Sequence, residues 1–502
     1  MNKVSLISIS SIALLFFISS RGYPQQNGWN APFIKANKDA PNILWITSDQ
    51  QRWNTIHALG NEYVLTPNLD RLAAEGVSFT NAHCQSPVCT PSRASFLTGM
   101  YPSTVHATKN GAAEWPETAP LISSILNHAG YDCGLSGKFH LSTAMAHLPE
   151  KRPVDDGYRV YHYSHSPGQG GSSNDYLVWL ENKGYDFRDL KQKHGYIPAE
   201  LHQTTWCTDK AIAFMEERRE NPWFYSLNIY DPHGPFDPPQ EYIDRYDIKD
   251  LPGPIVSDSD IEEKSKLNDV LFQSKPRKYS EEENKSRQAR YWAQIDLIDE
   301  NIRRLLIALE ETGQLDNTLI VFTSDHGEML GDHGLTGKGC RFYEGLVRVP
   351  LIFWYPEKLK QNLESTALVE LVDIVPTLLE LTGLPVPEKI QGKSLMPILL
   401  GQKSPDHHRD YVRCEFYDAL YSGARGDYDN AFGTMIKTDR FKLSLYHGHQ
   451  KGELFDLQSD PEEYFNLWDD PEYAEIRFDL MQKSFDATVR AIDTGPERLG
   501  RY

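Results

Sequence analysis

The sequence contains few cysteines, and their spacing excludes two kinds of site. Only six cysteines occur in 502 residues, which is too few for a scaffold held together by disulfides at this length. No two of them form a Cys-x-x-Cys pair, so we expect no cysteine-ligated zinc site. One or two disulfides remain compatible with this number.

The sequence also lacks an apolar run near its start that is long enough to span a membrane. Residues 6–18 are apolar, but a transmembrane helix needs roughly 20 such residues. Lys3 precedes this run and small polar residues follow it, as in a secretory signal peptide. We therefore predict that residues 1–22 are a signal peptide, that the protein is periplasmic or secreted, and that it has no stable membrane insertion.

An excess of basic residues is missing as well. The chain has 51 Lys and Arg residues against 70 Asp and Glu residues, a formal net charge of -19 at pH 7. Nucleic acids and anionic membranes would repel such a surface, so we expect no nucleic-acid partner. If the substrate is an anion, its attraction must come from a local cluster of cationic side chains and a metal ion.

Short apolar segments alternate with helical segments through most of the chain. Residues 42–48, 131–137, 223–229 and 318–324 have the length and composition of buried strands, and segments of helical periodicity lie between them. This alternation predicts an α/β fold with a large, mostly parallel central sheet flanked by helices.

Two parts of the chain depart from this alternation. Residues 241–290 are polar and charged with weak periodicity, and we predict a surface insertion there. The later part of the chain is also more polar, and we predict a smaller C-terminal α+β subdomain. The expected division is residues 23–395 for the catalytic domain and 396–502 for the subdomain.

Polar side chains follow the ends of four predicted strands. In open parallel sheets, ligands bind beyond the carboxyl ends of the strands. We therefore expect these side chains to meet at one site, and they are Asp49, Lys138, His140, His233, Asp325 and His326.

The segment at residues 89–99, CTPSRASFLTG, matches the C-x-P-S-R to L-T-G signature of the type I sulfatases. The chain therefore resembles this family of the alkaline phosphatase superfamily. The resemblance implies that Cys89 is oxidised after synthesis to formylglycine (3-oxoalanine) by a formylglycine-generating or anaerobic sulfatase-maturating enzyme. A hydrated aldehyde has two hydroxyls: one can attack sulfur, helped by Arg93 and a cation, and deprotonation of the other can expel sulfate.

A divalent cation is the second expected component. Carboxylates and an imidazole at Asp49, Asp325 and His326 suit such an ion, with the oxygen on residue 89 completing its shell. The run at residues 324–334, SDHGEMLGDHG, resembles the metal segment of sulfatases, which implies one Ca²⁺ per chain. Many sulfatases have a second acid where this chain has Gln50, which could still bind the ion through its carbonyl oxygen. The Asp49-Gln50 pair also resembles phosphonate monoester hydrolases.

Four further residues resemble those that handle the sulfate group. Lys138 and His140 lie in Gly-Lys-Phe-His-Leu, similar to the family's G-K-W-H-L. The resemblance implies that Lys138 binds sulfate and the nucleophile, and that His140 is the base that expels sulfate. It also implies that His233 contacts sulfate and protonates the leaving alcohol, and that Lys338 holds sulfate oxygens.

The leading hypothesis is hydrolysis of a sulfate ester on a polysaccharide or oligosaccharide, such as ulvan, carrageenan, fucan or a glycosaminoglycan. The first alternative is a phosphonate monoester or phosphodiester hydrolase that uses the same site, and the second is a catalytically silent glycan-binding protein. In the sulfatase family the C-terminal subdomain closes over the cleft, which makes Arg440 and His447 candidate substrate contacts. Four tryptophans are candidate sugar-stacking surfaces: Trp115, Trp179, Trp206 and Trp292.

Overall fold

The structure is a computed structural model that describes residues 35–36, 40–145, 148–169, 173–270, 275–356, 358–420 and 431–495. The predicted signal peptide at residues 1–22 lies outside these ranges. Among the described helices, none combines the length and the apolar character that crossing a bilayer requires.

A sheet of eight strands forms the centre of the molecule. The strands are β1 (Asn42–Ser48), β2 (Val77–Phe79), β4 (Asp132–Gly137), β5 (Val160–Tyr163), β6 (Trp223–Asn228), β7 (Thr318–Ser324), β9 (Leu351–Trp354) and β10 (Leu363–Ser365). Their order is β10-β2-β9-β7-β1-β6-β4-β5, and strands β7, β1, β6, β4 and β5 run parallel to one another. Strand β9 is antiparallel to both of its neighbours. The predicted α/β class and the mostly parallel sheet are confirmed.

Two smaller sheets accompany the central one. Their strands are β3 (Ala82–His83), β8 (Arg348–Val349), β11 (Val369–Glu370), β12 (Val412–Tyr417), β13 (Phe432–Lys437), β14 (Phe441–Tyr446) and β15 (Lys451–Asp456). A three-stranded sheet has the order β11-β3-β8, and a four-stranded antiparallel sheet has the order β12-β13-β14-β15. The four-stranded sheet lies within the range predicted for the C-terminal subdomain.

Helices cover both faces of the central sheet. The α-helices of the described residues are α1 (Pro67–Glu75), α2 (Cys89–Thr98), α3 (Ile122–His128), α4 (Asp175–Asn182), α5 (Phe187–His194), α6 (Gln203–Glu216), α7 (Gln240–Ile243), α8 (Asp258–Ser265), α9 (Glu281–Glu311), α10 (Glu344–Val347), α11 (Ile374–Leu381), α12 (Met396–Leu399) and α13 (Ala474–Arg490). Ile43 of β1 packs in the core on one face with helices α2, α3 and α11. Leu44, the next residue, packs on the other face with α1, α6 and α9. Because both faces are buried, β1 and β7 are mainly apolar and do not alternate between apolar and polar residues.

Helix α9 begins earlier than the sequence pattern indicated. It starts at Glu281, inside the stretch at residues 241–290 that was expected to be a surface insertion. A capping box formed by Ser280 and Glu283 fixes this start, since each side chain satisfies a free backbone N–H at the other residue. In the third turn of α9, Tyr291 is buried and its hydroxyl donates to the backbone carbonyl of Gln50 at 2.6 Å.

The C-terminal sheet joins the rest of the protein through a buried cluster of charges. Lys437 of β13 and Lys442 of β14 lie 2.7 and 3.1 Å from carboxylate oxygens of Glu344 in α10. Glu463 pairs with Lys442 from the other side. Buried charges are tolerated only when paired in this way, so the cluster fixes how the sheet docks.

Candidate active site

The strand ends bring the predicted polar residues together. Asp49 follows β1 directly, Lys138 follows β4 and Asp325 follows β7, and all three side chains are buried. Potential ligand atoms of Asp49, Cys89, Asp325 and His326 all lie within 4.8 Å of one another. The site therefore lies at the carboxyl edge of the central sheet.

Cys89 is at the centre of this cluster, at the first position of α2. Its Sγ lies 2.7 Å from Lys338 Nζ, 3.2 Å from His326 Nε2 and 3.3 Å from Lys138 Nζ. Burial and the charge of Asp49 act to raise the pKa of the Cys89 thiol. The surrounding cations outweigh both effects, so this pKa lies well below its usual value. Any group at this position is in an environment that stabilises negative charge.

Arg93 lies one turn further along α2 and connects three segments of the site. Its Nε donates to Asp325 Oδ2 at 2.9 Å, and a terminal nitrogen lies 3.4 Å from Asp49 Oδ2. The other terminal nitrogen donates to the carbonyl of Lys138 at 2.7 Å. Although burial disfavours the charged guanidinium, the two carboxylates raise the pKa of Arg93. Arg93 thus holds both acids in place while remaining charged.

The two aspartates are oriented by separate contacts. Asp325 Oδ1 accepts hydrogen bonds from the backbone N–H groups of Gln50 at 3.0 Å and His326 at 2.9 Å. Asp49 Oδ2 accepts from Lys138 Nζ. Burial acts to raise the pKa of Asp49, but Lys138, His233 and Arg93 keep it well below the ordinary value. Asp49 is therefore a carboxylate at neutral pH.

Gln50 completes a set of donors that fits a divalent cation. Its amide Nε2 donates to Glu328, whereas its Oε1 is buried and has no hydrogen-bond partner in the part of the chain that the structure describes. A buried carbonyl oxygen without a donor is costly, but it is a ligand that hard cations prefer. The donor set of Asp49, Gln50, Asp325 and His326 thus fits a cation such as Ca²⁺.

Lys338 connects Cys89 to His233. Lys338 Nζ is 3.3 Å from the Nε2 atoms of both His233 and His326. His233 Nδ1 lies 2.8 Å from the carbonyl of Gly234 and 3.0 Å from the Tyr230 hydroxyl. A proton on Nδ1 would leave Nε2 free to accept a hydrogen bond from Lys338. Burial, followed by the charge of Lys338, lowers the pKa of His233 to about 4.

His140 is held by a carboxylate that the sequence analysis did not identify. Glu150 accepts hydrogen bonds from the backbone N–H groups of His140 at 2.9 Å, Leu141 at 2.5 Å and Ser142 at 3.4 Å. These contacts stabilise His140 at a φ of 60°, which is unusual for a residue other than glycine. Burial, Lys138 and Arg93 hold the pKa of His140 well below its usual value. The ring is therefore neutral at pH 7.

Three of the tryptophans that were predicted to stack on sugars are buried, and Arg440 forms an ion pair. Trp115, Trp206 and Trp292 are 3%, 1% and 4% exposed, so these three belong to the core and the expectation that they stack on sugars was wrong. Arg440 pairs with Asp456 within the C-terminal sheet, at 2.7 Å.

Asn110 supports the start of helix α2. Its side-chain oxygen accepts the backbone N–H of Thr90, at 2.8 Å. A first-turn N–H of a helix has no partner within the helix itself, so Asn110 stabilises the segment that carries Cys89.

Comparison with known families agrees with this geometry. The family described as sulfatase matches residues 41–384. The family described as N-sulphoglucosamine sulphohydrolase, C-terminal, matches residues 331–489. The sulfatase match includes every predicted site residue, from Asp49 to Lys338.

Individual relatives match over nearly the whole length. An arylsulfatase of Clostridium perfringens is 33% identical over 470 residues, which are 88% of this chain and 93% of the relative. An N-acetylglucosamine-6-O-sulfatase of Bacteroides thetaiotaomicron is 30% identical, with 92% of this chain and 89% of the relative covered.

Two solved structures share the fold. A phosphonate monoester hydrolase of Silicibacter pomeroyi has a TM-score of 0.77 at 27% identity, covering 90% of this chain and 96% of the other. A protein in complex with its substrate D-glucosamine-2-N,6-O-disulfate has a TM-score of 0.71 at 25% identity, covering 92% and 100%.

Proposed function

The chain belongs to the sulfatase family of sulfuric ester hydrolases, and from this we propose that it removes sulfate from a sulfated carbohydrate with a formylglycine nucleophile and a divalent cation. The observation that carries the proposal is the position of Cys89. Its sulfur lies between Lys338 and Lys138, within reach of the Asp49 and His326 ligand atoms. A glycan-binding protein without activity is disfavoured because the complete set of polar residues surrounds Cys89.

The nucleophile requires conversion of Cys89 by a maturating enzyme. A hydrated aldehyde at residue 89 would supply one hydroxyl to attack sulfur and a second whose deprotonation releases sulfate. Lys138 and Lys338 lie within 3.3 Å of the Cys89 sulfur, so both can bind oxygens of a sulfate group at that position. Fixed positive charges of this kind stabilise the charge that develops on the transferring group.

We propose that one Ca²⁺ binds to Asp49, Gln50, Asp325 and His326. When bound, the ion would lower the pKa of the attacking hydroxyl and neutralise sulfate oxygens. Arg93 holds both carboxylates by direct contacts, and Glu328 fixes the amide of Gln50.

The two catalytic histidines differ in their surroundings. His233 has a pKa of about 4 in the free site because of burial and the charge of Lys338. A bound sulfate would add negative charge beside His233 and raise this pKa, which favours the protonated form that an acid for the leaving alcohol requires. His140 is neutral, with its backbone held by Glu150, and it can accept the proton whose removal releases sulfate.

The carbohydrate substrate is supported by an N-acetylglucosamine-6-O-sulfatase among the relatives and by a solved structure of similar fold that holds a glucosamine disulfate as its substrate. Ulvan, carrageenan, fucan and glycosaminoglycans all carry sulfate esters on sugars, and an ulvan-active sulfatase is 30% identical to this chain.

A second candidate activity, phosphonate or phosphodiester hydrolysis, rests on Asp49-Gln50 and on the structural match to a phosphonate monoester hydrolase. The two activities are separated by the kcat/KM for phenyl sulfate and for phenyl phenylphosphonate, with wild type and Cys89→Ala measured in parallel. We expect a preference for the sulfate and loss of both activities in Cys89→Ala. A clear preference for the phosphonate would refute the sulfatase proposal. A preference for the sulfate would be followed by a screen of sulfated sugars.

We also propose that the protein is exported, because residues 1–22 have the pattern of a signal peptide. N-terminal sequencing of protein from the native cell envelope or medium tests this. A mature chain that begins near residue 23 is expected. Full-length protein in the cytoplasmic fraction would contradict it.

A further inference from the structure

His165 lies at the edge of the site but has no role in the mechanism above. It follows β5, the strand next to β4 at the end of the central sheet. Gln203 Nε2 donates to Ser164 Oγ at 2.7 Å and to the carbonyl of His165 at 3.0 Å. The backbone of His165 is thus fixed at the same edge of the sheet as the predicted site residues.

The ring of His165 lies between the two proposed catalytic histidines. Its centroid is 4.6 Å from that of His140 and 5.9 Å from that of Tyr230. The Tyr230 ring in turn lies 4.8 Å from the ring of His233. These four rings form a continuous wall, and Lys138 Nζ lies 5.4 Å from the Tyr230 centroid. The same Lys138 Nζ lies 3.3 Å from the Cys89 sulfur, so this wall, which includes His165, adjoins the position of the proposed nucleophile.

Both ring nitrogens of His165 are buried, and neither has a hydrogen-bond partner among the described residues. Buried polar atoms in folded proteins are rarely left in this state, and each one calls for a ligand or an ordered water. Burial, followed by His140 and Lys138, keeps the pKa of His165 well below its usual value. The neutral ring has one N–H donor and one acceptor nitrogen.

The acceptor nitrogen restricts the chemistry of the partner. The oxygens of a sulfate monoester anion only accept hydrogen bonds, so sulfate can satisfy the N–H of His165 but not its second nitrogen. A hydroxyl, by contrast, can donate a hydrogen bond to that second nitrogen. On the basis of the function proposed above, we propose that His165 binds a free hydroxyl on the alcohol half of the substrate, next to the ester. The site then selects vicinal hydroxy sulfates, the arrangement found in sugars, over sulfates without that hydroxyl.

A matched pair of small esters tests this inference. Catechol monosulfate carries a hydroxyl beside the sulfate, and phenyl sulfate lacks it. For wild type we expect kcat/KM for catechol monosulfate to exceed that for phenyl sulfate by about tenfold, the effect of one good hydrogen bond. In His165→Phe, which retains a ring without nitrogens, the ratio of the two kcat/KM values should fall to about one, whatever the turnover of phenyl sulfate itself. His165→Gln retains a donor and an acceptor and should keep part of the preference.

The control is His162→Ala, which removes a partly buried histidine of β5 whose ring lies near Trp206. It should keep the wild-type preference, and circular dichroism checks the fold of each variant. If wild type hydrolyses both esters equally, or if His165→Phe retains the preference, the inference is wrong and water satisfies His165. If wild type containing formylglycine hydrolyses neither ester, the proposed function fails as well. These two failures are therefore distinguishable.

Discussion

Replacing Glu328 by glutamine should weaken Ca²⁺ binding even though Glu328 is not a proposed ligand. Glu328 Oε1 accepts the backbone N–H of Leu330 at 3.1 Å and that of Gly337, and Oε2 accepts the amide of Gln50. In Glu328→Gln, the two backbone donors fix the new carbonyl oxygen, so the new NH₂ group faces the NH₂ group of Gln50. To avoid this clash the Gln50 amide must flip, which exchanges its Oε1 for a donor nitrogen that cannot bind a cation.

The expected loss of Ca²⁺ affinity follows from the usual effect of removing a residue that orients a metal ligand. Removing such a partner costs about 10- to 100-fold in metal affinity, or about 1.4–2.7 kcal/mol. Calorimetric titration of the metal-free protein with Ca²⁺ measures this directly, without any substrate. The thermal stabilisation by Ca²⁺ should fall in parallel.

The control exchanges the two side chains. In the double variant Gln50→Glu with Glu328→Gln, the NH₂ group of the new glutamine would donate to one oxygen of the new glutamate, and the second carboxylate oxygen would again be available to the ion. Ca²⁺ affinity should recover to at least the wild-type value. An unchanged Ca²⁺ affinity in Glu328→Gln alone would refute the proposed role of Gln50 as a ligand.

Three further outcomes are expected. Lys338→Ala should lower kcat/KM for phenyl sulfate by about 10²–10³-fold, because it removes a fixed positive charge beside the transferring group; a loss below about tenfold in steady-state kinetics would contradict this. Glu344→Gln should lower the free energy of unfolding in urea by about 3–5 kcal/mol, because Lys437 and Lys442 then have fewer partners in a buried cluster. An unchanged urea midpoint would be inconsistent with that cluster. Burial, followed by Lys437, lowers the pKa of His83 to about 4. The unfolded state binds this proton near pH 6.5, so the contribution of His83 to the free energy of unfolding should be full above about pH 6.5 and fall by roughly 3 kcal/mol as the pH drops to about 4. The free energy of unfolding of His83→Gln should fall less over that range. An equal fall in the variant and the wild type would contradict this role of His83.

The sheet and the main site residues could be predicted because local patterns specify them. Residues 42–48 and 318–324 each have a continuous apolar centre, since both faces of their strands are buried, and each segment ends at the polar residues that form the site. The signature at residues 89–99 then identified the nucleophile segment.

The features that were not predicted depend on tertiary contacts. The start of α9 was missed because its first turns are polar, although the Ser280 and Glu283 capping box was a local signal. Glu150 and Glu328 act on backbone and amide groups of other segments, which no spacing in the sequence reveals. His165 belongs to the segment that follows the edge strand β5. It differs from an ordinary histidine because neither of its buried ring nitrogens has a hydrogen-bond partner among the described residues.

The central claim is that the nucleophile is built from Cys89. The most direct test is the mass of the peptide that spans residue 89, taken from natively expressed protein with measured sulfatase activity. We predict a loss of about 18 Da relative to the cysteine peptide, as conversion of a thiol to an aldehyde requires. An intact Cys89 throughout fully active protein would contradict this account.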